Sequence, residues 1–160
     1  MFNSAQISCG AAARFRALGE NRLPRTLHWR QSPQFMSYPK LVVTISRDEA
    51  LQATRTALLH RTGYAVIPLG NDADVMKFLG TPGLPFVNLI LMCHSVPERS
   101  RVALCNALKA KRPESPILML YNGYDPTVAK VDGRLENLHS PEALLDVVQL
   151  LISNKDTASQ

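Results

Sequence analysis

The stretch Val87-Asn88-Leu89-Ile90-Leu91-Met92-Cys93-His94-Ser95-Val96-Pro97 decides the fold. Its apolar run has the length of a buried strand, and it breaks into a polar loop at Cys93. Pro97 then precedes a helical pattern. A buried parallel strand that delivers a loop to the carboxyl edge of an α/β sheet has this layout, and ligands gather at that edge. The sequence therefore predicts a parallel α/β sheet with a functional edge near Cys93.

The alternation of strand and helix extends outward from this stretch in both directions. Residues 41–45 are a β-branched run typical of a buried strand. Ser46-Arg47-Asp48-Glu49 has the pattern of a capping box that opens a helix, and Gly63 suits its end. Further strands are predicted over 64–68, 87–92, 116–121 and 133–137, and further helices begin at Asn71, Glu98 and Ser140. The helix after Asn71 is expected to direct Val75, Met76 and Leu79 inward, whereas a short or irregular helix is expected over 125–130.

Charge is distributed unevenly along the 160-residue chain. Residues 1–35 hold five arginines and one glutamate, so the net charge of +5 belongs mainly to this segment. We predict a disordered basic arm over 1–38, one domain over 39–154 and a tail over 155–160. The arm has three interpretations: a tail that touches nucleic acid or a membrane surface, a transit-like segment, or an over-extended reading frame whose true start is Met36. Nucleic-acid binding is not expected of the nearly neutral folded domain.

Cysteine usage and hydropathy indicate the compartment. Cys9, Cys93 and Cys105 have neither a disulfide framework nor metal-ligand spacing, and an odd, low count is typical of a reducing cytoplasm. No apolar run approaches the roughly 18–20 residues of a membrane span. The loop after the first strand contains no glycine, which argues against dinucleotide or P-loop binding. We therefore expect a cytoplasmic protein without membrane contact, metal or cofactor.

The order of the elements and the amino-acid sequence of several segments resemble the receiver domain of bacterial response regulators over residues 40–153. Three segments carry the similarity, together with the third strand followed four residues later by Pro97. These segments are Arg61-Thr62-Gly63-Tyr64-Ala65-Val66, Ser115-Pro116-Ile117-Leu118-Met119-Leu120 and His139-Ser140-Pro141-Glu142-Ala143-Leu144-Leu145. The resemblance implies a flavodoxin-like, doubly wound, five-stranded parallel sheet of order 2-1-3-4-5 with helices on both faces.

The resemblance also assigns five functional positions, and this chain differs at every one. Receivers hold Mg²⁺ on an acidic pair after the first strand, where this chain has Ile45 and Ser46. The aspartate that accepts the phosphoryl group corresponds to Cys93. A serine or threonine after the fourth strand corresponds to Tyr121, and a lysine after the fifth corresponds to Asn137. We expect Tyr121 to pack across the mouth of the vacated pocket.

These replacements remove the usual phosphorylation chemistry. Mg²⁺ prefers carboxylate oxygens, which Ile45 cannot provide, and a thiol cannot form an acyl phosphate. Asp48 and Glu49 lie nearby but are assigned to the helix cap. We therefore predict no catalytic residue, no metal site and no enzymatic activity. The leading hypothesis is a phosphorylation-independent, receiver-like module that binds a protein in a two-component or phosphorelay-related pathway.

Cys93 supports two interpretations. It is either a small hydrophobe that fills the space of the lost aspartate, or a redox-sensing thiol whose pKa is lowered by Arg47. His94 should point to the opposite face, because adjacent strand residues alternate. A further alternative is a small-molecule-binding α/β domain, which would require an open pocket at the carboxyl edge of the sheet.

The last helix carries more apolar residues than one packing face usually needs. They are Leu144, Leu145, Val147, Val148, Leu151 and Ile152, with Leu150 further round the helix. This excess predicts a surface for a protein partner or a homodimer. Leu145, Leu150 and Ile152 are its candidate residues.

Overall fold

The computed structural model describes residues 38–83, 85–123, 131–136 and 140–158, without the side chains of 156–158. Nine elements alternate along this part of the chain. The strands are β1 (Leu41–Ile45), β2 (Ala65–Leu69), β3 (Leu89–Met92), β4 (Ile117–Tyr121) and β5 (Gly133–Glu136). The helices are α1 (Glu49–Arg61), α2 (Asp72–Gly80), α3 (Glu98–Lys111) and α4 (Pro141–Ala158).

All five strands are parallel and form one sheet in the order β2-β1-β3-β4-β5. This order confirms the predicted 2-1-3-4-5 topology. In the register, Ile45 of β1 lies beside Leu69 of β2 and beside Met92 of β3. The ladder continues one step further, because Cys93 N–H donates to the carbonyl of Ile45 at 2.8 Å. The residues that follow β1 and β3 are therefore neighbours at the carboxyl edge.

Helices cover both faces of the sheet, as predicted. Helices α2 and α3 pack on one face, where Phe78 and Leu108 are buried. Helices α1 and α4 cover the other face and bury Leu59 and Val148. The strands supply residues alternately to the two cores, so that Met92 belongs to the first and Cys93 to the second.

The predicted capping box at the start of α1 is wrong. The N-cap is Asp48, whose carboxylate accepts a hydrogen bond from Leu51 N–H at 3.0 Å. Ser46 lies two residues earlier, and its hydroxyl is engaged in the loop instead, accepting from Asp48 N–H at 3.2 Å. An aspartate caps a helix as well as a serine does, so the residue closer to the helix takes the role.

The inward face of α2 also differs from the prediction. Asn71 is the N-cap as expected, and Val75 is fully buried. Met76 is instead 56% exposed, and the buried aromatic side chain of Phe78 takes its place. Val75, Phe78 and Leu79 follow the i, i+3, i+4 spacing of one helix face, and Met76 falls outside that face. The predicted helix over 125–130 and the basic arm lie outside the described residues, and α4 continues to Ala158, past the predicted start of the tail.

Strand β5 has a weak strand sequence, Gly-Arg-Leu-Glu, and its position is fixed by its neighbours. The carboxylate of Asp132 accepts from Ile117 N–H at 2.7 Å and forms an ion pair with Lys109 at 2.7 Å. Asp132 N–H donates in turn to the carbonyl of Ile117 at 2.9 Å. An added Cβ on Gly133 would lie 2.9 Å from a methyl group of Leu151. Asp132 and the small Gly133 therefore bring β5 against β4 and α4.

The cap assignment makes a testable prediction. Asp48→Ala should lower the free energy of unfolding by about 1 kcal/mol, because a helix N–H loses its acceptor. Chemical denaturation of the full chain measures this change. Glu49→Ala is the matched control, since Glu49 is exposed in the first turn. A comparable loss of unfolding free energy in Glu49→Ala would instead support the predicted capping box.

Candidate functional site

Four of the five receiver-type positions lie in the described region, and three of them meet at the carboxyl edge. Ile45 is fully buried in the core under α2 and α3, whereas Ser46 is 1% exposed and Cys93 is 0% exposed. Tyr121 ends β4, pairs with Glu136 and is only partly buried. Asn137 lies outside the described residues. Ser46 and Cys93 are therefore closed to solvent at this edge.

A hydroxyl network closes the edge between the loops that follow β1 and β3. The hydroxyl oxygens of Ser46 and Ser95 lie 3.0 Å apart in a hydrogen bond. Ser95 Oγ also accepts from Arg47 N–H at 2.9 Å, and Ser46 Oγ donates to the carbonyl of Asp48 at 3.0 Å. Ser95 was not among the residues singled out from the sequence, because a loop serine carries no distinctive pattern. The two loops are joined by neutral groups where a receiver would hold a metal ion.

Arg47 does not approach Cys93, contrary to the sequence prediction. Its guanidinium forms an ion pair with Asp72 and donates to the carbonyl of Gly70 at 3.0 Å. Asp72 also accepts from the hydroxyl of Ser100 at 3.1 Å. Arg47 is therefore drawn towards β2 and α3 by a carboxylate at the start of α2. This network ties the loops after β1 and β2 to α3.

The cation beside Cys93 is Arg55 of α1. Its side chain is 7% exposed, and its positive charge lowers the pKa of the Cys93 thiol, although by less than burial raises it. Gln52, one turn earlier, donates to the carbonyls of Thr44 at 3.3 Å and Leu69 at 3.0 Å. The face of α1 that packs against the carboxyl ends of the strands is therefore polar. This edge of the sheet therefore contains a fixed guanidinium.

Arg55 was missed in the sequence, although a signal for it exists. It lies four residues after Leu51 and four before Leu59, within the stripe that α1 buries. A cation in an apolar stripe is costly to bury and therefore informative. The helix contains one other arginine, Arg61, and three alanines, so the apolar stripe is weak, and Arg55 could be taken for a residue of the solvent face.

The environment of Cys93 does not activate the thiol. Burial raises the pKa of the Cys93 thiol above its ordinary value, and this effect exceeds the lowering by the positive charge of Arg55. A raised pKa disfavours the redox-sensing interpretation, which chemical labelling of the thiol tests. Burial likewise raises the pKa of Cys105 to about 11. The next residue, His94, has a lowered pKa, owing to burial and to the charges of Arg55 and Arg101.

The proposed surface on the last helix has to be revised. Ile152 is 2% exposed and belongs to the core, so it is unavailable to a partner. Leu145 is partly buried against the same core. Leu150 alone of the three is exposed, at 57%, and it lies about 140° round the helix from Leu145. The wide apolar arc is used by packing over the sheet, because α4 spans β3 and β5.

Two features bear on what this part of the chain can bind. No group of three or more histidine, cysteine, aspartate or glutamate side chains converges on a metal position within the described ranges. No helix in these ranges has the length and apolar character needed to cross a membrane.

The fold is that of response-regulator receiver domains. The chain matches a CheY-like receiver domain from Methanospirillum hungatei JF-1 with a TM-score of 0.67 and 17% identity, covering 75% of this chain and 98% of that one. It also matches full-length FixJ from B. japonicum with a TM-score of 0.65 and 21% identity, covering 75% of this chain but 61% of FixJ. A structure described as an adenylate cyclase from Rhodopirellula baltica matches with a TM-score of 0.66 and 15% identity, covering 76% and 93% of the two chains. No family model and no curated protein matches the sequence.

The burial of both thiols predicts slow chemical modification. In the folded chain at neutral pH, Cys93 should react with iodoacetamide as slowly as Cys105, because both thiols are buried and protonated. Peptide mass spectrometry over time measures both rates, and labelling in urea shows that both sites can react. Fast labelling of Cys93 alongside a protected Cys105 would contradict this prediction and revive the thiol sensor.

Proposed function

We propose that this chain is a phosphorylation-independent, receiver-like module of bacterial signal transduction that acts by binding another protein. The observation that carries the proposal is the filled carboxyl edge. Cys93 occupies the acceptor position without exposure, and the Ser46–Ser95 hydrogen bond joins the loops above it. A phosphodonor needs an accessible carboxylate at this edge, and none stands at the Cys93 position.

The charge of the edge also supports the loss of metal-dependent phosphorylation. Mg²⁺ requires several hard oxygen ligands, usually including carboxylates. Ile45 offers a buried hydrocarbon side chain at one ligand position, and the Ser46 hydroxyl is engaged with Ser95 and Asp48. The Arg55 guanidinium beside Cys93 would repel a divalent cation. Asp48 is nearby but serves as the N-cap of α1.

A domain without phosphoryl chemistry can still transmit information through its surface. We assign it no enzymatic activity and a cytoplasmic location, in keeping with its free, buried cysteines. Of the residues assigned from the sequence to a partner or homodimer surface, Leu150 of α4 keeps the required exposure. The partner surface is therefore narrowed to the exposed side of α4 around Leu150.

Phosphorylation independence can be tested directly. Incubation of the full chain with acetyl phosphate and Mg²⁺ should leave the intact mass unchanged, because the acceptor carboxylate and its metal ligands are missing. Mg²⁺ alone should not raise the melting temperature. A receiver domain that retains its acceptor aspartate serves as the positive control. An acid-labile gain of one phosphoryl group on this chain would overturn the proposal.

The binding role requires a separate experiment. Products of neighbouring genes that encode a kinase or an output module are tested for binding by two-hybrid assay and calorimetry. Leu150→Asp should weaken such a complex about tenfold or more, because a charge replaces an exposed apolar contact. Val102→Asp is the matched control, since Val102 is an exposed apolar residue, 45% accessible, on α3. Loss of binding in Val102→Asp alone would move the surface away from α4.

A further inference from the structure

Helix α1 reverses the usual distribution of polar and small residues on a surface helix. It buries Gln52 and Arg55 against the sheet. Its outer face instead exposes Ala50, Ala53 and Ala57. A helix on the surface of a domain normally carries charged and polar side chains on its exposed side. The outer face of α1 therefore has the composition of a face that packs against another element, yet its three alanines are exposed.

A groove of about 420 Å³ runs along this face, between α1 and the edge strand β2. Ala53 and Ala57 line the middle of the groove, and Pro68 of β2 lines its other wall. Glu49 and His60 line its two ends. At the rise of an α-helix these two residues are separated by about 16 Å along the axis of α1, too far to pair within one chain. The groove therefore carries an acid at one end and an imidazole at the other.

The two ends of the outer face carry opposite charge. Glu49 is exposed in the first turn of α1, and His60 and Arg61 are exposed in the last turn. Neither Glu49 nor Arg61 forms an ion pair with a residue in the described part of the chain. An acid at the start and bases at the end also suit the dipole of α1. The dipole does not account for the small, uncharged residues that separate the two ends.

The outer face of α1 is complementary to a second copy of itself. Positions 49 and 61 lie equally far from position 55 along the helix, and so do positions 53 and 57. When two copies of α1 pack antiparallel about a two-fold axis at this level, Glu49 of each protomer faces Arg61 of the partner subunit. Ala53 then faces Ala57 across the axis, and small side chains there let the two helices approach closely. Charge and shape therefore match in the same arrangement.

The free edge of β2 favours a helix over an added strand as the occupant. The carbonyl of Leu69 accepts from Ser46 N–H at 3.1 Å, so Leu69 turns its backbone groups towards β1. Neighbouring residues of a strand turn their backbone groups to opposite sides, so those of Pro68 point away from the sheet. Proline has no N–H to donate, and a strand added to this edge would lack a hydrogen bond there. A second copy is therefore expected to approach through α1 and not through β2.

We propose that the chain forms a homodimer through the outer face of α1, as an antiparallel, two-fold helix pair that joins Glu49 of each protomer to His60 and Arg61 of the partner subunit. This inference goes beyond the proposed partner-binding role and does not depend on it, since that role is assigned to α4. A pair of single helices buries less than the roughly 1,200 Å² of the smallest standard interfaces. The dimer is therefore transient, with a Kd on the order of 100 μM.

Sedimentation velocity of the full chain tests the dimer over concentrations from about tenfold below to about tenfold above this Kd. The chain should show a reversible monomer–dimer equilibrium. Ala53→Glu brings like charges together near the two-fold axis and should raise the Kd about tenfold or more. Ala103→Glu is the matched control, because Ala103 is an exposed alanine of α3, and it should leave the Kd unchanged. A chain that stays monomeric throughout, or a dimer that Ala53→Glu does not weaken, would refute the proposal.

Charge reversal tests the antiparallel orientation. Glu49→Arg and Arg61→Glu each place like charges at both ends of the helix pair, so each variant alone should dimerise several-fold more weakly. In an equimolar mixture, every contact between positions 49 and 61 joins opposite charges again, and the heterodimer should recover the Kd of the unmodified chain. Absence of recovery would exclude the antiparallel pair. Leu150→Asp should leave the dimer intact, and a dimer lost in that variant would instead assign self-association to α4 and overturn the proposal.

Discussion

The parallel pairing of β3 between β1 and β4 is the constraint on which the rest of the structure depends. It is a buried strand with neighbours on both sides, so its register fixes which residues emerge together at the carboxyl edge. The hydrogen bond from Cys93 N–H to the Ile45 carbonyl extends this register by one residue and brings Ser46 and Cys93 side by side. In a receiver the same geometry gathers carboxylates, whereas here it gathers a hydroxyl and a thiol. The register of the sheet determines which residues lie together at the carboxyl edge, and the types of those residues determine the chemistry of the edge.

Polar burial at this edge has a free-energy cost that hydrogen bonding offsets in part. Buried Ser46 is hydrogen-bonded to Ser95, and buried Gln52 donates to the carbonyls of Thr44 and Leu69, whereas the buried Thr44 hydroxyl has no hydrogen-bond partner among the described residues. Such groups destabilise a core unless they find hydrogen-bond partners. The cost explains why the loops after β1, β2 and β3 are joined by Ser95 and by the Arg47–Asp72 ion pair. Short-range polar contacts thus hold the loops at this edge of the sheet.

Much of the fold could be predicted from the sequence because it depends on local periodicity. The apolar run at 89–92 and the helix over 98–111 follow directly from hydrophobic pattern and length. The site was harder to predict, since Arg55 lies six residues beyond the start of its helix, and only tertiary packing brings it to Cys93. Strand β5 was placed by its order in the chain, whereas the ion pair of Asp132 with Lys109 that fixes it is non-local. The misassigned surface at Ile152 has the same origin, because an apolar arc does not reveal how many strands will cover it.

Arg55 is the buried residue of the site that hydrophobic patterning alone does not explain. Local rules disfavour a cation in the buried stripe of a helix, and natural sequences break such rules mainly at functional sites. An apolar residue at this position would pack against Leu59 and Leu144 without the cost of desolvation. The retained guanidinium faces Cys93 on one side and a leucine-lined pocket on the other. The edge at the end of β3 thus combines two buried residues, Ser46 and Cys93, with a buried guanidinium beside them.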